Sequence, residues 1–141
     1  PGKMILVQVK SEGKPKTDYE NHKIPRVSMK LYLPGRLLYF TPYGGSGVSL
    51  SESLRGEKTA GLVEKLQKYG GWYFFGDSET VDIEDLKQEA RGLLTTWKGI
   101  REALDHSTKN TRMLFMGPNA LQRLVIDYST QIFDHLEICY F

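Results

Sequence analysis

Two short stretches carry the residue types from which a site could be built: Gly76-Asp77-Ser78 and Gly117-Pro118-Asn119. Each stands where an apolar run, "WYFF" or "TRMLFM", gives way to helical spacing. The first N–H groups of a helix lack internal partners and share the positive end of its dipole, so a helix start suits a phosphate or a ribose hydroxyl. Gly117 would let the backbone approach such a ligand, and Asn119 would add an amide. An ordinary strand-to-helix turn needs the same letters, because Pro118 is a good first helical residue. Tyr43, in the Gly-rich loop, suits base stacking by residue type alone. Arg36 and Arg55 suit neutralisation of phosphate charge in the same way.

Other chemistries fit less well. "GDSE" at 76–79 sets a serine beside two carboxylates, and in an enzyme Ser78 or Asp77 would be the reactive group. These residues also cap helices, since Asp and Ser accept the unpaired N–H groups and acids suit the positive end. No serine lies in a G-x-S-x-G elbow. "GGSG" at 44–47 lacks the Lys-Ser/Thr of a phosphate-gripping loop, and no strand–GxGxxG–helix unit is present. His22, His106 and His135 are scattered, without metal-ligand spacing, so no metal or cofactor is expected. The aromatic cluster "WYFF" reads as sheet core rather than as a base-stacking platform.

The elements that must position these residues follow from periodicity. Met4–Lys10 reads as a strand, and Val27–Leu33 with Leu37–Thr41 reads as a hairpin around Pro34-Gly35, where glycine accepts positive φ. The turn-rich "PYGGSGVSLSES" leads into a helix from about Leu54 to Tyr69, which "YGG" stops. "WYFFG" follows as a short buried strand. A long amphipathic helix runs through about Leu104, with Leu86, Ala90, Leu93, Trp97 and Ile100 near one face. "TRMLFM" then reads as a strand, 119–133 as a third helix and "HLEICYF" as a last strand. This alternation predicts one α/β domain over residues 1–141, with a mainly parallel sheet flanked by helices and an N-terminal β-hairpin. In such sheets ligands sit outside the carboxyl ends of the strands, which is where both stretches would lie.

Composition agrees with a single globular unit. The 141 residues are 40% hydrophobic and 26% charged, with no low-complexity tract. No apolar run approaches the roughly 18 residues of a membrane span, and the N-terminus lacks the apolar core of a signal peptide, so a cytoplasmic setting without membrane is expected. A start at Pro1 is compatible with a domain of a longer protein. Cys139, the sole cysteine, reads as a small buried hydrophobe. Net charge is only +2, but residues 1–40 hold eight Lys/Arg against three acids, leaving eleven and fourteen of the totals of 19 and 17 for the rest. This basic segment reads as a solvated loop or as a lure for a polyanion. No helix carries a basic stripe and no zinc-finger spacing appears, so duplex DNA is not expected.

The run "TRMLFMGPNALQRLVIDYSTQIFDHLEICYF" resembles the closing segment of SAVED domains, in which a strand ends in a small-residue–Pro turn, an Ala- and Leu-containing helix follows, and a last strand finishes with an aromatic. The upstream "DIEDLKQEARGLLTTWKGIREAL" sits where such domains have a long helix, so the resemblance covers about residues 71–141. SAVED domains are related to the CARF domains of CRISPR systems, Rossmann-like units that bind cyclic oligonucleotide messengers and activate an attached effector in bacterial anti-phage defence. The resemblance implies a CARF-like sensor of a cyclic nucleotide or oligonucleotide, with Gly117, Pro118 and Asn119 at the ligand and Asp77 and Ser78 as neighbours. It implies an effector domain or protein downstream, and a symmetric homodimer sharing the ligand is physically reasonable. A ring nuclease, or an interaction domain using the 27–41 hairpin edge, are the alternatives.

Overall fold

The computed structural model describes residues 4–11, 23–49, 57–74, 81–106 and 111–128. Period-two alternation builds its centre. Strands β4 (Leu38–Thr41) and β6 (Gly71–Phe74) pair antiparallel with Leu38 opposite Phe74 and Phe40 opposite Trp72. Leu38, Phe40 and Trp72 are fully buried, while the intervening Tyr39 and Tyr73 turn to the other face. Strand β3 (Leu33–Pro34) joins β4 antiparallel and β5 (Val48–Ser49) joins β6 parallel, giving the order β3-β4-β6-β5. A separate two-stranded sheet pairs β1 (Gln8–Ser11) with β2 (Arg26–Ser28), with a bulge between Val9 and Ser11.

Three helices complete the described fold: α1 (Glu57–Leu66), α2 (Ile83–Asp105) and α3 (Ala120–Tyr128). Asp82 caps α2, its side chain accepting the Glu84 N–H at 3.0 Å. Leu62 and Leu66 of α1, with Leu86, Ala90, Leu93 and Ile100 of α2, cover the apolar sheet face in one cluster. The Phe40 and Trp72 ring centroids are 4.4 Å apart, and the Trp72 indole N–H donates to the Leu66 carbonyl at 2.9 Å. A fully buried Phe or Leu side chain contributes roughly 1.5–3 kcal/mol, so this cluster is what joins sheet to helices.

The mainly parallel sheet expected from the sequence is not what forms. The four-stranded sheet is mixed, with β5–β6 its one parallel pair. The expectation treated every apolar run as a successive parallel strand. Instead β6 is flanked on one side by the hairpin strand β4 and on the other by β5, a two-residue strand inside the Gly/Ser-rich segment read as turn. With both sides of β6 taken, no later strand can pair beside it. Residues 111–116, expected as a strand, join no ladder, nor do 117–119 after them; Met113, Phe115 and Met116 are exposed. The segment is instead tied to α2 by Arg112, whose guanidinium donates to the Ala103 carbonyl at 2.6 Å, one of the carbonyls a helix end leaves open.

The hairpin forms, but not as drawn from the sequence. Arg26–Ser28 pairs with β1, leaving only Leu33–Pro34 opposite β4. Its turn closes from the Gly35 N–H to the Leu38 carbonyl at 2.8 Å, and Gly35 does not take positive φ. Gly35 is needed for space: an added Cβ would stand 2.0 Å from Glu89 Oε1. Gly70 is the positive-φ glycine (φ 144°) after α1, as "YGG" suggested, and a Cβ there would meet the Thr41 carbonyl at 2.8 Å. The final strand "HLEICYF", the end of the 119–133 helix, Cys139, His22 and His135 lie outside the described residues. Among those described, no helix is long and apolar enough to cross a membrane.

Candidate functional site

A cleft of about 420 Å³ opens where the β3–β4 turn faces α2 and α3. Pro34, Leu93, Val125 and Ile126 give it apolar walls, and Arg36 and Glu89 supply its charges. The amphipathic pattern of α2 accounts for part of this, turning Leu93 inward while Glu89 reaches the turn. Glu89 Oε1 accepts the backbone N–H groups of Leu37 and Leu38, at 2.8 and 3.2 Å. A carboxylate thus supplies the acceptor that two turn amides require, and glycine at 35 makes room for it. The Arg36 side chain, 20% exposed, pairs with Asp85 in the first turn of α2 at 3.6 Å. Such a partly exposed pair is worth at most about 1 kcal/mol, weak enough for a competing anion to displace the carboxylate.

The Gly-Pro turn does open a helix. Asn119 makes a reciprocal cap with Gln122: its Oδ1 accepts the Gln122 N–H at 2.8 Å, and its own N–H donates to Gln122 Oε1 at 3.0 Å. Two of the donors expected to meet an anion are therefore already used within the chain. Gly117 is exposed, and a Cβ there would find nothing within 4 Å. Pro118 is half-buried. About 9 Å of helix separates Asn119 from Val125 in the cleft wall. The structure thus brings Arg36 and α3 to one cleft. Gly76, Asp77, Ser78 and Arg55 lie outside the described residues, and with them the second helix start.

Tyr43 is not part of that cleft. Its ring, 64% exposed, meets Trp97 of α2 edge-on with centroids 5.5 Å apart, and Trp97 lies about 12 Å along the helix from Glu89. A different aromatic group was missed. Tyr39 and Tyr73 stack at 4.8 Å with planes 13° apart on the sheet face opposite the helices, and Tyr32 meets Tyr39 edge-on at 6.3 Å. The signal was present in "LYF" and "WYF", where tyrosine occupies the outward position of an otherwise apolar alternation. "WYFF" is therefore divided: Trp72 and Phe74 enter the core and Tyr73 stays outside.

The small sheet adjoins this row. The Gln8 amide bonds the Tyr32 backbone twice, accepting its N–H at 3.0 Å and donating to its carbonyl at 3.1 Å. Lys10 Nζ donates to Gln8 Oε1 at 2.9 Å and lies 3.7 Å from the Tyr32 ring centroid. Desolvation by burial lowers the pKa of Lys10 below its ordinary value. The bulge sets Lys10 and Ser11 together against Arg26. Against models of known protein families and against curated proteins, the chain gives no match.

Proposed function

We propose that this chain is a binding module for a cyclic nucleotide or cyclic oligonucleotide, received at the cleft between the β3–β4 turn, α2 and α3. The observation that carries the reading is that Arg36 and the helix opened by Gly117-Pro118-Asn119, singled out separately in the sequence, wall the same cleft. It is a shallow, open groove of about 420 Å³, and its mostly apolar walls suit the faces of nucleobases. Ligand phosphate would displace Asp85 from Arg36, exchanging one charge-assisted contact for another. The messenger class, and with it relay to an effector in bacterial anti-phage signalling, rests on the resemblance of the sequence of residues 71–141 to SAVED domains alone, since the strand that should precede the Gly-Pro turn does not form.

Isothermal titration against a panel of cyclic di- and trinucleotides tests the reading. Heat is expected with at least one member, and Arg36→Ala should weaken that binding about tenfold, the loss of one charged hydrogen-bonding partner. No heat with any member would remove the proposal.

A further inference from the structure

We infer that the open face of the four-stranded sheet is a second site, which takes linear single-stranded nucleic acid by stacking bases on the Tyr32–Tyr39–Tyr73 row. The first observation is geometric. Tyr39 and Tyr73 face each other across the β4–β6 pair, stacked at 4.8 Å, and Tyr32 and Tyr73 are each 41% exposed. A base joins the outer end of this stack on Tyr73, and any base will do, since each has a π-face. Ser49, paired with Tyr73 in the β5–β6 register, stands on the same face and offers a hydroxyl.

The second observation is electrostatic and names the occupant. Among the described residues 4–11, 23–49 and 71–74 the charged residues are Lys10, Lys23, Arg26, Lys30 and Arg36, all basic, and residues 1–40 as a whole hold eight Lys/Arg against three acids. Arg36 turns to α2, whereas Lys10 lies over Tyr32 at one end of the row, on the bulge whose next residue, Ser11, pairs with Arg26. A protein partner would match the tyrosines but has no need of a net positive segment beside them, while a polyanion with flat bases matches both. Because Lys10 sits beyond Tyr32 and the stack ends at Tyr73, one nucleotide cannot reach both. The ligand is therefore a chain of several nucleotides.

Fluorescence anisotropy with a labelled oligodeoxythymidylate of about a dozen residues, within the site sizes typical of stacking platforms, tests this. The single strand should bind more tightly than a duplex of equal length, and Tyr73→Ala should weaken it about tenfold. Tyr73→Phe keeps the ring and should stay within about twofold. Lys10→Ala should lower the slope of log affinity against log salt by about one. Tyr69→Ala, at an exposed tyrosine on the α1–β6 turn, serves as control, and thermal melting confirms that each variant folds. Equal affinity for duplex and single strand, no binding, or an unchanged Tyr73→Ala would each overturn the inference. So would retrieval of a protein partner through Tyr73 with no nucleic acid bound. The cyclic-nucleotide titration uses other residues, so the two readings fail separately.

Discussion

On one side of the central sheet stand Tyr32, Tyr39 and Tyr73 beside Lys10; on the other, beyond the shared core, stands a cleft whose arginine already has a carboxylate for company. The sheet side offers π-faces and cations with no acid in its described strands. The cleft offers apolar walls, Arg36 held by Asp85, and Glu89 held by two backbone amides. The difference teaches that a cation's value to a ligand depends on what it must leave. The cations of the sheet side, with no ion pair among the described residues, suit long-range attraction for a polyanion, and the paired arginine of the cleft suits exchange of one anion for another.

The comparison presumes that both regions rest on one core, and the largest effect tests that. Trp72→Ala removes a fully buried ring together with its bond to the Leu66 carbonyl, and should cost about 3–5 kcal/mol by urea denaturation. Loss of the cleft ligand alone, with single-strand binding intact, would show the two regions to be independent. Glu89→Ala strips the turn amides of Leu37 and Leu38 of their acceptor and should cost about 1–3 kcal/mol, measured the same way. It acts on the cleft side, so oligonucleotide anisotropy should stay unchanged. Asn119→Ala breaks the reciprocal cap with Gln122 and should cost about 1 kcal/mol in the melting curve. Smallest is Asp85→Asn, which should alter stability by less than about 1 kcal/mol while raising cyclic-nucleotide affinity severalfold, because Arg36 no longer has a charge to give up.

How much of this was legible follows from how local each signal is. The span of α2 could be read because its apolar spacing and its Asp82 cap are both encoded within a few residues. Strand β6 was legible for the same reason, and so was the stop at Gly70. Sheet direction was not, because it depends on which strand occupies each side of β6, and β5 is a two-residue strand in a segment whose letters favour turns. The parallel expectation failed there, and the run 111–116 failed as a strand because apolar residues form one only where a ladder partner exists.

The site divides along the same line. Arg36 was picked by residue type, yet its partner Asp85 and the Glu89 plug lie some fifty residues away along the chain, beyond any local pattern. Asn119 reads by residue type as a ligand amide, though Gln122 three residues later spells out the capping pair that engages its Oδ1 and its backbone N–H. The outward tyrosines were there in the alternation of "LYF" and "WYF"; reading the aromatic run as one block concealed them.

Gln8 behaves toward Tyr32 as a neighbouring strand would, matching one peptide's donor and acceptor with the two ends of a single side chain. The two sheets are thereby riveted at a point where no ladder joins them. Glutamate in that place would keep the length and the shape but bring only oxygens, so one arm of the rivet would press against the Tyr32 carbonyl and lever the basic ribbon away from the rings.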